Sequence, residues 1–377
     1  MRIMWMMIFM LLPIAGLAYV GWHVWTLVPL SAAWRMAIVG LGVAAFLSLF
    51  LTFTRVIDQW PLWLAQMTYN VSTSSVIVLL YLVMLFIGID LLRLLKVIPA
   101  TWTHANAPMT IALTVVMFGV FLLGNIRYRH KERVQLTVST EKHLERPLRL
   151  VMMSDLHLGY HNPRKELARW VDIVNSEKPD AVLIAGDIID NSIRPLIEER
   201  MSEELRRIEA PVYACLGNHE YISGEPRAEQ FYREAGITLL RDSSACIGDE
   251  VVVVGRDDRT NGRRKSLRQL TEGLTQSAAS AADRPFIILM DHQPHQLEEA
   301  EEAGIDFQLS GHTHHGQVWP ISWITDAVYE CAFGEHQRGA TRYYVSSGMG
   351  IWGGKFRIGT RSEYVVLQIE KKVQNIP

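Results

Sequence analysis

Leu148-Arg149-Leu150-Val151-Met152-Met153-Ser154-Asp155-Leu156-His157 is an apolar run that ends abruptly in a carboxylate and an imidazole. The pattern recurs four more times. Ala181–Ala185 ends in Gly186-Asp187, and Val212–Leu216 ends in Gly217-Asn218-His219-Glu220. Pro285–Met290 ends in Asp291-His292, and Asp306–Ser310 in Gly311-His312-Thr313-His314. Each short apolar run predicts a buried strand, and strand ends are where a sheet converges side chains from distant sequence. Asp, Asn and His without Cys suit borderline-hard divalent ions such as Mn, Fe or Zn. A single histidine of this set reads more simply as a core residue. Five such motifs in this order read as ligands for two metal ions.

These motifs resemble those of the calcineurin-like metallophosphoesterases over roughly Leu148 to Ile369. Gly311-His312-Thr313-His314-His315-Gly316-Gln317, followed by Ser346-Ser347-Gly348-Met349-Gly350-Ile351-Trp352-Gly353, is similar to the membrane-anchored bacterial branch. The resemblance implies two facing mixed β-sheets flanked by helices, with the metals at one edge. It implies that Asp155, His157, Asp187 and His314 hold one divalent ion and that Asp187, Asn218, His292 and His312 hold a second. Mn, Fe, Zn and Mg are all open as the metal. Asp187 is then the bridge, each oxygen facing one cation. Phosphate-ester hydrolysis by metal-activated hydroxide is the implied activity, with His219 beside the site stabilising phosphoryl oxygens or protonating the leaving group. Glu220 is open between orienting His219 and a surface role.

Outside the strands, Arg164–Asn175, Ile193–Ile208 and Glu225–Glu234 have helical periodicity. Val251–Gly255, Tyr343–Val345 and Glu363–Ile369 read as further strands, and Val134–Val138 as a short one. Asp190 is expected to fix a turn or an outer hydrogen bond, and His295 to buttress the Asp291-His292 strand end. For His161 and His315 a structural role is the simpler reading and substrate contact the alternative. Cys215, Cys246 and Cys331 have no metal-like spacing and read as free thiols.

Charge divides the chain. Before Arg127 the only charged residues are Arg2, Arg35, Arg55, Asp58, Asp90, Arg93 and Lys96, although the whole chain is 20% charged with a net charge of −2. Apolar stretches near Met4–Val24, Trp34–Phe53, Ser74–Leu94 and Met109–Ile126 each approach the ~20 residues that cross a bilayer. Trp22, Trp25, Trp34, Trp60, Trp63 and Trp102 fall near their ends, as an aromatic belt would. Asp90 and Arg93 are spaced to pair along a helix near its end. The expectation is an all-α transmembrane bundle of four helices (1–126), a connector (127–147) and an α/β metallophosphoesterase domain (148–377). An even span count with Arg127, Arg129, Lys131 and Arg133 after the last span places that domain in the cytoplasm, on a bacterial inner membrane.

A phosphate-containing substrate is implied, and four spans suggest a lipid one at the bilayer surface. A water-soluble ester is the alternative. The basic segment Arg256–Arg268 reads as a solvated loop or as a contact for lipid headgroups or substrate phosphates. It is the one feature that favours a nuclease, which the net charge disfavours. A non-catalytic membrane sensor or scaffold is the remaining alternative, against which stands the complete ligand set.

Overall fold

The computed structural model describes residues 2–248, 250–276 and 284–372, which form two compact units: residues 2–125 with 353–355, and the described residues of 126–352 with 356–372. The N-terminal unit is helical. Among the described residues, three helices are long and apolar enough to span a membrane: Ala32–Phe53, Leu62–Leu94 and Ala107–Arg129. The span expected near Met4–Val24 lies in the helix Arg2–Leu27 and falls partly outside the described side chains; its described apolar part is Leu11–Leu27. The span expected at Ser74–Leu94 is the second half of a 33-residue helix that starts at Leu62, behind Pro61. Trp34, Leu41, Phe118 and Leu123 point outward, the arrangement expected where lipid replaces water as solvent. Inside the bundle, Tyr19 donates to Asp90 Oδ2 (2.7 Å), His23 Nε2 lies 3.1 Å from the same oxygen, and Arg93 pairs with Oδ1 at 3.6 Å. The Asp90–Arg93 pair is therefore part of a larger polar cluster.

The C-terminal unit contains two six-stranded mixed sheets. Its strands are β1 (Lys131–Thr140), β2 (Leu148–Met153), β3 (Ala181–Ala185), β4 (Val212–Cys215), β5 (Thr238–Leu239), β6 (Ser243–Ile247), β7 (Val251–Gly255), β8 (Phe286–Met290), β9 (Phe307–Ser310), β10 (Gly334–Arg338), β11 (Thr341–Val345) and β12 (Ser362–Lys371). Strand order is β1-β12-β2-β3-β4-β5 in one sheet and β10-β11-β9-β8-β7-β6 in the other. Alternation along each strand explains why the runs are apolar throughout. Leu150 and Met152 of β2 join Val251, Val253, Ile288 and Met290 in the layer between the sheets. Val151 and Met153 face the other way, under Trp170 and Val171 of the helix Arg164–Ser176. Val252 and Val254 likewise pack against Leu267 and Leu297.

Two details differ from the sequence reading. Residues 127–147 carry a ten-residue strand, β1, paired in parallel with β12 from Lys131 to Thr140, where only a short strand was expected. Its exposed polar residues mask the alternation that would have marked its length. The helix expected over Ile193–Ile208 is two short helices, Arg194–Glu198 and Met201–Leu205, separated by Arg200 in a left-handed conformation (φ 52°). Periodicity carries across such a break because the apolar residues on either side still face one core.

Candidate metal centre

β2, β3, β4, β8 and β9 all release their motifs at one sheet edge. β2, β3 and β4 run parallel in one sheet, and β8 and β9 run parallel in the other. Ligand sites of open α/β sheets form at the carboxyl ends of strands for this reason. The loops there are strained. Asp155 (φ 54°), His157 (φ 43°), Asp187 (φ 52°), His312 (φ 70°) and His314 (φ 49°) all have left-handed backbones. Side chains disfavour that region, so its concentration at one point marks a place where the surroundings over-determine the backbone. Gly217 and Gly311 permit the close approach: a Cβ on Gly217 would strike the Asp187 carboxylate, and one on Gly311 the Asp155 carboxylate and the Ser154 side chain.

All seven candidate ligands converge. Asp155, His157 and His314 bring ligand atoms within 4.8 Å of one another, and so do Asp187, His292 and His312. His157 Nε2 lies 3.0 Å from His314 Nε2, 3.9 Å from Asp155 Oδ1 and 3.7 Å from Asp187 Oδ2, and His314 Nε2 lies 3.6 Å from Asp155 Oδ1. On the other side, His292 Nε2 is 3.1 Å from Asp187 Oδ2, and His312 Nδ1 is 2.8 Å from Asn218 Oδ1. Ligands held about 2.0–2.2 Å from a cation stand roughly 3–3.5 Å apart, so the spacing suits divalent ions. The donor set agrees. Two imidazole nitrogens facing each other in a buried site, as those of His157 and His314 do, need a proton or a cation between them.

Asp187 Oδ1 accepts the His219 backbone N–H (2.9 Å), and Oδ2 lies 3.7 Å from His157 Nε2 and 3.1 Å from His292 Nε2. Outer partners fix the imidazoles. His292 Nδ1–H donates to Ala185 O (2.7 Å), which leaves Nε2 for the cluster. Asp190 Oδ1 sits 3.3 Å from both His157 Nδ1 and His219 Nδ1. Burial pushes the Asp187 carboxyl up, but the charges of His292 and His219 outweigh it and hold it well below the usual carboxylate range. The same contest at Asp190 is won by hydrogen bonds from His157 and His219. Burial, reinforced by the charge of His292, pulls His312 down to about 4, so it is a neutral donor.

Asp190 is thus an outer hydrogen-bond partner serving two histidines. Replacing it with Asn keeps the volume but removes the charge that holds both tautomers. Activity or metal affinity is expected to fall about 10–100-fold, measured by metal titration beside turnover.

Other expected roles change. Glu220 neither orients His219 nor lies on the surface. It is fully buried and accepts N–H groups from Gly217 (2.7 Å), Ile189 (3.0 Å) and Asp187 (3.1 Å), tying two ligand loops together. His295 packs on Tyr329 (ring centroids 4.8 Å apart). His161 is buried with Nε2 2.5 Å from Ile351 O, and His315 pairs with Asp326 at 3.3 Å and stacks on Phe333. In the basic segment, Arg256 and Arg264 are drawn inward onto Asp291 (3.3 and 3.0 Å), because that buried carboxylate needs compensation. Arg259, Arg263, Lys265 and Arg268 remain exposed. Cys215, Cys246 and Cys331 are free thiols.

Sequence reading missed Arg357. It is buried and donates from Nη1 to His314 O (2.7 Å) and from Nη2 to Ser347 O (2.5 Å) and Gly350 O (3.1 Å), clamping the His312–His314 loop to the loop after β11. Nothing in Lys355-Phe356-Arg357 signals this, since its partners are backbone carbonyls, which any residue type supplies.

The family model for calcineurin-like phosphoesterases matches residues 148–316. An uncharacterised metallophosphoesterase of Aquifex aeolicus is 31% identical over 268 residues, covering 68% of this chain and 99% of that one. The chain therefore belongs to the metallophosphoesterase family and is a metal-dependent phosphoesterase. It is also similar to two proteins named as transmembrane proteins with a metallophosphoesterase domain. The one from Danio rerio is 29% identical over 363 residues, covering 88% of this chain and 79% of that one. The one from Bos taurus is 26% identical over 381 residues, covering 89% and 80%.

Proposed function

We propose that this chain is a membrane-embedded two-metal phosphoesterase that hydrolyses a phosphate ester presented at the bilayer surface. The observation that carries the two-metal reading is Asp187 Oδ2, which lies 3.7 Å from His157 Nε2 and 3.1 Å from His292 Nε2. Asp155, His157, Asp187 and His314 would hold the first ion, and Asp187, Asn218, His292 and His312 the second. Two divalent ions in such a site activate water at neutral pH and offset charge developing on the phosphoryl group. Asn218 contributes a neutral oxygen, which leaves the centre more positive for an anionic substrate.

His219 supplies the proton. Its Nδ1 faces Asp190, which leaves Nε2 for the leaving oxygen. Burial lowers its affinity for a proton, but Asp187 and Asp190 outweigh that and push its pKa up to about 9. In the metal-free protein the imidazolium should therefore persist through neutral pH. The stabilisation it brings is complete below about 6.5, its unfolded value, and is lost as pH rises through about 9. NMR titration of the metal-free chain should find this resonance moving near pH 9 and shifting lower when divalent ions bind. A value at or below 6.5 without metal would contradict the assignment.

The membrane part of the proposal assigns residues 1–126 to the bilayer, 127–147 to the connection and 148–377 to catalysis. Arg127, Arg129, Lys131 and Arg133 follow the last span, which favours a cytoplasmic catalytic domain on a bacterial inner membrane whatever the total span count. A lipid phosphate or lipid-linked diphosphate is the substrate class that a membrane-embedded hydrolase suits best. Two of the six basic residues of Arg256–Arg268 are engaged by Asp291, which reduces but does not remove the cationic surface a nucleic acid would need. Turnover with Mn²⁺ in proteoliposomes tests the substrate class. A lipid phosphate hydrolysed in preference to a soluble chromogenic monoester or diester supports it, and turnover confined to the soluble esters refutes it.

A further inference from the structure

The helix Ile321–Val328 follows the His312–His314 motif directly and presents an apolar face to solvent. Trp323 (63% exposed), Ile324 (58%) and Val328 (65%) share that face at helical spacing with exposed Ala327. Trp319 adds to it, its ring 5.3 Å from that of Trp323. Large apolar side chains contiguous on a surface mark an interaction site. The opposite side of the helix is pinned. Ser322 is buried, and Gly316 (φ 68°) packs against the Ile321–Ser322 backbone so closely that a Cβ would collide. Asp326, off the apolar face, pairs with His315.

The same compact unit contains the last turn of the helix Ala107–Arg129, one of the three long apolar helices. From that turn Arg127 Nε donates to Thr360 O (3.1 Å), and Thr360 Oγ1 donates to Gln317 O. Trp319 N–H donates to Ile358 O (2.7 Å). The apolar face is therefore tied, within one unit, to the place where a membrane helix ends. Arg127 and Arg129 are exposed there, as cations near anionic headgroups would be.

We infer that Trp319, Trp323, Ile324 and Val328 form an interfacial anchor seated in the lipid that the chain itself spans. Trp belongs at the headgroup level, and a short amphipathic helix buries its apolar face at the headgroup–acyl boundary. Because the helix is pinned to the His312–Gly316 loop, this seating would hold the candidate metal centre's last loop beside lipid headgroups. The inference rests on the reading that the N-terminal helices span the membrane.

The test is a nitroxide at Ile324→Cys in the full chain, reconstituted in phosphatidylcholine–phosphatidylglycerol vesicles. Cys246→Ser removes the exposed native thiol, and Leu122→Cys on the helix Ala107–Arg129 serves as the span control. Oxygen and nickel-chelate accessibilities should place the label at 324 roughly 5–10 Å below the headgroup boundary, with the label at 122 also in lipid. A water-exposed label at 324 beside a lipid-buried label at 122 overturns the inference and leaves the membrane reading intact. Water exposure at both positions overturns the membrane reading itself. Spin–spin broadening at 324 without lipid contact would assign the face to a second copy of this chain, which also overturns it.

Discussion

Asp187→Asn should leave a folded protein that no longer turns over phosphate esters and no longer retains two ions. Asn preserves the shape and can still accept the His219 N–H now held by Oδ1. The charge is lost at the carboxylate whose Oδ2 lies close to both His157 and His292. His292, whose proton affinity Asp187 raises well above the ordinary imidazole value against the pull of burial, loses its counter-charge as well. Loss of an outer-shell partner typically costs about 10–100-fold in affinity or activity, and loss of a bridging carboxylate should exceed that. Turnover of a chromogenic ester with Mn²⁺, read beside a thermal melt, measures it. Activity within ten-fold of the parent, with the fold intact, would contradict the bridging role.

Glu220→Ala should be the most destabilising single change near the site. The carboxylate is fully buried and accepts three backbone N–H groups, from Gly217, Ile189 and Asp187. Truncation leaves all three donors without an acceptor where water does not reach. Each unsatisfied buried group costs about 1–3 kcal/mol, so a net loss of about 3 kcal/mol or more is expected. For a domain of this size, Tm should fall by roughly 6–12 °C. Burial and the nearby charge of Asp187 both push the Glu220 carboxyl up, so its ionised form is itself held at some cost and is kept by these hydrogen bonds. Glu220→Gln should fall between the two, because its amide retains an oxygen but turns a donor toward a donor. Differential scanning calorimetry of the three proteins checks the order; an unchanged Tm in Glu220→Ala would refute the stapling role.

The sequence made the apolar strands and their polar ends legible because both signals are local. Strands such as Ala181–Ala185 are buried on both faces and read as unbroken apolar runs, and the residues after them stand out against that background. Partners supplied by the backbone were not legible. Glu220 and Arg357 act on amides and carbonyls, which every residue possesses, so no residue type at the other end betrays the contact. The Asp187 contact with the His219 loop was hidden for a related reason: its Oδ1 accepts a main-chain N–H. Strand order was equally hidden. β1 and β12 pair across more than half the chain, and only the structure shows that the segment after the last membrane helix enters the same sheet as the Asp155 strand. In the N-terminal third composition alone identified the apolar helical class.

The most direct test of the two-metal centre is elemental analysis of the purified full chain after saturation with Mn²⁺ and removal of free ion, beside Asp187→Asn. The account predicts two ions per chain in the parent, one or none in the variant, and turnover that follows occupancy of the pair. Phosphoesterase turnover that persists after a chelator has removed every ion, or a parent chain that never retains more than one, would contradict it.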